Sequence, residues 1–297
     1  MVPYELTLTV LAAVFGLIFG SFAGAQVWRI RVRQLRDDVA AGCKVTRREL
    51  ASVKALSVPS LRHDRSVCLS CGHVLAWYDL LPLVSWLSTR GRCRYCKRRI
   101  GWFEPAIELA VAVVFSASYL FWPFSLDGGG VLLLIIWLAS VVVGAIMFVY
   151  DSKWYLLPDV TTYLYSGLGA VYAIGAICYG YTSILSLFTA LGLMAGLYGV
   201  LYAYSAWRNG ADRTWVGLGD VKLSVGLALF LSQWQLAIVA LFLANLFGTI
   251  LVAPGLISGR LDRKSHVPFG PLLLSGTVVA VIFGQRIIDW YLHLTLV

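Results

Sequence analysis

Residues 131–150, VLLLIIWLASVVVGAIMFVY, form an uninterrupted apolar run that is followed at once by Asp151. About 20 such residues are needed for an α-helix to cross the hydrocarbon core of a bilayer. A carboxylate at the edge of lipid is costly and is therefore a candidate for function. The stretch predicts a membrane-spanning helix that ends in an ionisable group.

The rest of the 297-residue chain is similarly apolar, with 59% hydrophobic residues, 13% charged residues and a mean hydropathy of +0.79. These values exclude a soluble globule and a disordered chain. We predict an all-α polytopic membrane protein with about eight transmembrane helices, of which the run at 221–232 is short. The predicted spans are 6–27, 105–122, 131–150, 160–180, 183–207, 221–232, 236–257 and 268–288.

The chain divides into a first transmembrane helix at 1–27, a polar and basic domain at 28–104, and an apolar domain at 105–297. The middle domain holds 16 of the 24 Lys and Arg residues, which predicts a cytoplasmic location under the positive-inside rule. Both termini are then outside, and the loops 151–159, 208–220 and 258–267 are cytoplasmic. The net charge of +9 is explained by this orientation, so no nucleic-acid partner is expected.

The basic domain contains Cys68-x2-Cys71 and, 21 residues later, Cys93-x2-Cys96. Two such pairs are typical of a structural zinc site, in which four thiolates surround Zn²⁺ and leave no open position for catalysis. Nearby Arg and Lys residues would offset the negative charge of a zinc tetrathiolate. The alternatives are two disulfides or unliganded cytosolic thiols.

Asp151 ends the third predicted span and Asp220 begins the sixth, so the predicted threading places both at the same cytoplasmic depth. Two carboxyls in a poorly solvated site share a proton, so one can take a proton from water while the other donates to a carbonyl. This is the chemistry of aspartic peptide hydrolysis. Alternatively, each Asp caps a helix or pairs with Lys153 or Lys222. For Asp159, capping is the preferred interpretation.

Motifs along nearly the whole chain carry a resemblance to a known family. They are Gly20-Ser21-Phe22, Leu80 to Trp86 (LLPLVSW), the two Cys pairs, Pro105-x2-Glu108-Leu109, Asp151 to Asp159 (DSKWYLLPD), Gly217-x-Gly219-Asp220 and Pro268-Phe269-Gly270-Pro271. With these motifs the chain resembles the type 4 prepilin peptidase family, the bifunctional leader peptidases and N-methyltransferases of pilus and type II secretion systems. The resemblance implies that Asp151 and Asp220 are the catalytic pair and that 105–297 is the transmembrane aspartic peptidase domain.

Four positions depart from the family pattern, and all of them lie toward the N-terminus, to which methyl transfer is usually assigned. Gly24 stands where Asn is common, Arg31 and Leu69 where Pro is common, and Glu104 where Tyr is common. None is a member of the proposed protease pair.

The resemblance implies a bacterial inner-membrane aspartic endopeptidase that cleaves the leader of type IV pilin-like precursors at the cytoplasmic face and then methylates the new N-terminus from S-adenosylmethionine. Its partners are those precursors and membrane lipid. Glu108 and the loop around the zinc are where the methyl donor or the new ammonium group is expected to bind. Alternatively, Glu108 is an interfacial acid near a helix N-terminus.

Two rival functions remain at this stage. One is a Gly-x-Gly-Asp intramembrane protease for other signal peptides, which would need no four-Cys module. The other is a proton- or cation-coupled transporter, a class in which internal repeats are frequent. No internal repeat is found in this sequence.

Overall fold

The computed structural model of this chain describes residues 4–43, 45–53, 56, 65–210, 214–259 and 267–295. Within these ranges the regular structure is helical, and β-type pairing is limited to two isolated bridges. The chain forms two compact units, Met1–Ser116 and Ala117–Val297. Most of the predicted loop at 258–267 and residues 211–213 of the loop at 208–220 lie outside the described residues.

The first unit contains α1 (Tyr4–Ala40), α2 (Arg47–Val53), α3 (Val84–Ser88) and the first part of α4 (Phe103–Leu120). Glycines let the backbones of α1 and α4 approach closely. A Cβ added at Gly16 would lie 2.5 Å from Ala112 Cα, and one added at Gly20 would lie 2.7 Å from Glu108 Cα. A larger side chain at either glycine would therefore push the two helices apart.

Helix α1 extends well beyond the predicted span at 6–27. Its 37 residues correspond to about 55 Å, almost twice the thickness of a bilayer core. The extension is stabilised because α2 packs against it, and buried Arg31 of α1 donates to Glu49 of α2 at 2.6 Å. Apolarity marks only the membrane-embedded part of a helix, so it could not predict this second, polar part.

The second unit is a bundle that includes seven further α-helices. They are α5 (Gly128–Trp154), α6 (Asp159–Cys178), α7 (Ile184–Leu191), α8 (Leu197–Asn209), α9 (Leu218–Leu231), α10 (Trp234–Ile257) and α11 (Phe269–Thr295). A π-helical turn, Gly192–Gly196, joins α7 to α8. Helix α9 lies in the interior, in contact with α6, α7, α8, α10 and α11. Its Phe230 packs against the rings of Trp137, Tyr165 and Tyr172.

Seven helices of the described chain are long and apolar enough to cross a membrane: α1, α4, α5, α6, the continuous α7–α8 segment, α10 and α11. The prediction of an all-α polytopic membrane protein is thereby confirmed. The remaining predicted span, 221–232, corresponds to α9, which has only 14 residues. At about 21 Å it is shorter than a bilayer core of about 30 Å.

Short as it is, α9 contacts both ends of the α6 segment. At one end Lys222 Nζ donates to Asp159 Oδ1 at 2.6 Å. At the other, Thr182 Oγ1, just beyond α6, donates to the Ser232 carbonyl at 2.7 Å. The chain therefore returns to the Asp159 end before Asp220, as the predicted threading requires. We call this the aspartate end of the second unit, defined by Asp151, Asp159 and Asp220.

Candidate active site

Asp151 lies in the last turn of α5. The helix ends because Tyr155 adopts a left-handed conformation with φ 55°, and the Tyr155 amide closes on the Asp151 carbonyl at 2.9 Å. The Asp151 residue is only 5% exposed. Its Oδ2 accepts a hydrogen bond of 3.1 Å from the backbone N–H of Gly270, at the start of α11.

Asp220 lies in the first turn of α9 and is partly buried. The Gly217 N–H donates to its Oδ2 at 3.2 Å, while the Asp220 N–H donates to the Gly217 carbonyl at 3.1 Å. The side chain thus closes the N-terminus of α9, as the capping alternative predicted. This hydrogen bond uses only one carboxylate oxygen of Asp220, so the other oxygen remains available to react.

The structure brings these two carboxylates to a common neighbour, Leu157, at the aspartate end. Leu157 bridges them. A Cβ at Gly219, beside Asp220, would lie 3.3 Å from Leu157 Cβ, and a Cβ at Gly270 would lie 3.6 Å from Leu157 Cδ1. The loop between α5 and α6 therefore packs against both halves of the pair.

None of the ion pairs between described residues involves Asp151 or Asp220. Lys222, which the alternative interpretation pairs with one of these aspartates, pairs instead with Asp159 at 2.6 Å. Asp159 is exposed and is the first residue of α6, but the N-cap is Pro158 and no side-chain hydrogen bond caps this end, so the prediction that Asp159 caps the helix is wrong. The catalytic candidates are thus held by neutral backbone amides and carry no cationic partner in this part of the chain.

Two residues near the pair were missed by the sequence reasoning. In the sequence, Gly270 is recognisable only as part of a Phe-Gly-Pro motif, and nothing predicts that its amide bonds to Asp151. Tyr198 of α8 is buried, and its ring centroid lies 5.8 Å from that of Phe269, the residue before Gly270. No spacing pattern marks Tyr198, because the π-helical turn before it shifts the phase of the helix.

The four predicted cysteines form one cluster in the first unit. The Sγ atoms of Cys68, Cys71, Cys93 and Cys96 all lie within 4.8 Å of one another, and Cys68 Sγ and Cys96 Sγ are 4.0 Å apart. A disulfide requires about 2.05 Å, and all four cysteines are free. Since tetrahedral zinc–sulfur bonds of about 2.3 Å place sulfurs slightly under 4 Å apart, the cluster could hold a metal ion.

The backbone around the cluster repeats the same turn twice. In each pair the second Cys is followed by a residue of positive φ, Gly72 at 72° and Lys97 at 59°. Each turn is closed by an isolated antiparallel bridge, Val67 to Val74 in one and Arg92 to Arg99 in the other. Each Cys-x2-Cys pair therefore lies on a tight turn, and the two turns have the same form.

A polar contact fixes the second turn to the rest of the module. Asp79 accepts from Arg94 Nε and from Tyr95 Oη, each at 2.9 Å. Burial alone would raise the pKa of the Asp79 carboxyl, but these hydrogen bonds hold the pKa below its usual value. His73 stacks on Tyr95 with ring centroids 3.6 Å apart and lies outside the thiol cluster.

Glu108 is buried in α4 and hydrogen-bonded. Its Oε2 accepts from the Leu83 N–H at 2.8 Å, and the Ser21 side chain of α1 also bonds to the carboxylate. Leu83 belongs to LLPLVSW and has φ 55°, a conformation that is uncommon for a residue other than glycine. The carboxylate thus links α1, α4 and this strained loop.

Two family models match the chain. The Bacterial Peptidase A24 N-terminal domain matches residues 14–122, and the Type IV leader peptidase family matches residues 132–253. The second range contains both Asp151 and Asp220, whereas the first contains the cysteine cluster and Glu108. Gly270 lies beyond the matched ranges.

Curated relatives match over nearly their whole length. A "Type 4 prepilin-like proteins leader peptide-processing enzyme" of Escherichia coli O78:H11 is 32% identical and covers 94% of this chain and 95% of its own. A "Prepilin leader peptidase/N-methyltransferase" of Aeromonas hydrophila is 31% identical, with coverage of 95% and 93%. One of that name from Bacillus subtilis is 28% identical, with coverage of 95% and 97%. No solved structure matches.

Proposed function

This chain belongs to the type IV leader peptidase family, and from that membership we propose that Asp151 and Asp220 are the catalytic pair with which it cleaves the leader of prepilin-like precursors. It is a multi-pass membrane protein, an aspartic endopeptidase and an N-methyltransferase. The observation that carries the assignment is the meeting of the two carboxylates, from α5 and α9, at the aspartate end. Mass measurement of a purified precursor after incubation with the chain tests it.

The geometry fits a hydrolysis shared between two acids. Each Asp uses Oδ2 to accept a backbone N–H, from Gly270 or Gly217, so each keeps one oxygen for the reaction. The ionised carboxyl takes a proton from a water molecule, whose oxygen attacks the scissile carbonyl, while the protonated carboxyl donates to the carbonyl oxygen. Collapse of the tetrahedral intermediate breaks the C–N bond, the new amine takes a proton, and the pair returns to its shared-proton state.

The sidedness of the site is also part of the proposal. Under the positive-inside rule the basic segment 28–104 and the aspartate end face the cytoplasm, and both termini lie outside. The enzyme then resides in the bacterial inner membrane. The apolar N-terminal helix of the precursor stays in the bilayer, with the scissile bond at the mouth formed by α5 and α9.

We assign Zn²⁺ to the thiol cluster, on the basis of its four sulfurs and its two matching turns. A closed tetrathiolate site has no position for substrate, so when bound the metal supplies only structure. The four cysteines and the metal would then hold the loop in shape, while peptide hydrolysis takes place at the aspartate end.

Metal analysis is expected to find about one zinc per chain, and Cys93→Ser is expected to lose it, because Cys93 is the buried ligand of the four. The loop should loosen more than the peptidase activity falls. Cys178→Ser serves as the matched control, since Cys178 is exposed and outside the cluster. Folded, active protein that is free of metal and has oxidised Cys pairs would refute the zinc assignment.

For the second activity we propose S-adenosylmethionine as the methyl donor, with Glu108 acting in that step. The names of the relatives, "Prepilin leader peptidase/N-methyltransferase", support N-methylation. In this structure the Glu108 carboxylate holds Leu83 and Ser21. We therefore expect it to act through the position of the LLPLVSW loop, as well as through its charge near the new ammonium group.

Glu108→Gln keeps the size and an acceptor oxygen but removes the charge. Because a hydrogen bond to a charged group is stronger by roughly 1–1.5 kcal/mol, methyl transfer to an already cleaved pilin should fall about tenfold, while leader cleavage is unchanged. The measurement is incorporation of labelled methyl groups, with Glu104→Gln, in the first turn of the same helix, as the control. If both activities survive intact, Glu108 is only an acid near a helix terminus.

A further inference from the structure

An apolar surface lies on the polar segment immediately before α4. We call it the interfacial face and define it by Leu81, Val84, Leu87 and Trp102, whose exposed fractions are 43%, 60%, 65% and 74%. Val84 and Leu87 are three residues apart on α3, so they share one side of the helix. Large apolar side chains exposed on one short segment in this way indicate a surface that something apolar covers.

Cations flank this face on the chain. Six exposed Lys and Arg residues follow α3 within eleven positions, and they are Arg90, Arg92, Arg94, Lys97, Arg98 and Arg99. The only acid between residues 65 and 102 is Asp79, and it pairs with Arg94 at 2.9 Å. A strongly positive surface beside an apolar one complements a surface of anionic headgroups over hydrocarbon.

The position of Trp102 indicates the depth at which the interfacial face lies relative to the bilayer. Trp102 immediately precedes α4, which is long and apolar enough to cross a membrane. A tryptophan at such a boundary lies at the level of the lipid headgroups. Its ring is 4.4 Å from that of Trp86 on α3, so α3 is held at the same level.

We propose that the interfacial face lies on the anionic lipid surface of the leaflet that α4 enters at its N-terminal end. Val84, Leu87 and Trp102 insert between headgroups, and the cations of residues 90–99 contact lipid phosphates. The segment 90–99, which includes the second Cys pair, is thereby held at the membrane surface. The inference requires that α4 spans the bilayer, and it does not depend on the peptidase activity.

The test uses the full chain in nanodiscs of phosphatidylcholine, with or without phosphatidylglycerol. Leu87 is replaced by photoreactive benzoylphenylalanine, and adducts are identified by mass after illumination. We expect phospholipid adducts, and more of them when phosphatidylglycerol is present. The Arg90→Gln, Arg99→Gln double variant should lower the adduct yield about tenfold with phosphatidylglycerol, because each cation near an anionic surface favours binding severalfold. It should have no effect in phosphatidylcholine alone.

Benzoylphenylalanine at Ser70, exposed on the first Cys turn, is the matched control and should give few lipid adducts. A probe at Val84 repeats the test in case the Leu87 variant does not fold, and retained metal content confirms folding. Crosslinks from Leu87 to another segment of the chain would show that protein covers the face and would overturn the proposal. Equal lipid labelling from Ser70 would do the same.

Discussion

Replacing Asp151 or Asp220 with Asn is expected to lower the rate of leader cleavage by about 10²–10⁴-fold in each case, the range for loss of general acid–base catalysis. The Asn side chain has nearly the same shape and can still accept the Gly270 or Gly217 N–H through its oxygen. It cannot exchange the proton that the pair shares. The loss should therefore be chemical, with normal accumulation of the protein in the membrane.

Two other acids provide matched controls for this experiment. Asp159→Asn removes a carboxylate from the same end of the bundle, where it pairs with Lys222. Asp289→Asn removes an exposed carboxylate that bonds only to Gln285 among the described residues. Both variants should retain cleavage. A single Asn variant at 151 or 220 that cleaves at the unmodified rate, at equal enzyme level, would remove that residue from the catalytic role.

Gly270→Ala is expected to reduce cleavage by about 10²-fold, the typical cost of a displacement of about 1 Å at a reacting group. A Cβ at this position would lie 2.8 Å from Asp151 Oδ2, which is closer than the two atoms can be. The flexible Asp151 carboxylate must therefore rotate away from the added Cβ, and it then loses the hydrogen bond from the Gly270 N–H. Initial rates of leader removal measure the effect.

Gly167→Ala on α6 is the control for this prediction, because nothing lies within 4 Å of its added Cβ. It should leave the rate unchanged. Thermal unfolding in detergent should show that Gly270→Ala keeps its stability, since a shift of the Asp151 side chain relieves the clash. Full activity of Gly270→Ala would show that the Asp151 position does not depend on this amide.

The pairing of the two aspartates could be predicted from sequence because it follows from threading alone. In a chain that crosses a bilayer repeatedly, the ends of odd-numbered spans and the starts of even-numbered spans lie on the same side. Asp151 ends the third predicted span and Asp220 begins the sixth. The paired turns of the cysteine module were predictable for a similar reason, since Cys-x2-Cys spacing fixes a local turn.

Other features depend on contacts that hydropathy does not encode. Helix α9 is too short for the core of a bilayer, but α6, α7, α8, α10 and α11 surround it, so its length is set by protein neighbours. The polar half of α1 is stabilised by the Arg31–Glu49 pair with α2. The bonds from Gly270 to Asp151 and from Leu83 to Glu108 join residues 119 and 25 positions apart. No local sequence pattern predicts hydrogen-bond partners so far apart in the chain.

The Asp151 and Asp220 pair is the proposed catalyst of leader hydrolysis. The most direct measurement is the mass of the N-terminal peptide of a purified prepilin-like precursor after incubation with S-adenosylmethionine and either the unmodified chain or its Asp220→Asn variant. The unmodified chain should shorten the precursor by its leader and add one methyl group. The variant should leave the precursor at full length yet still methylate an already cleaved pilin. Shortening of the precursor by the variant at the unmodified rate would contradict the assignment of the catalytic pair.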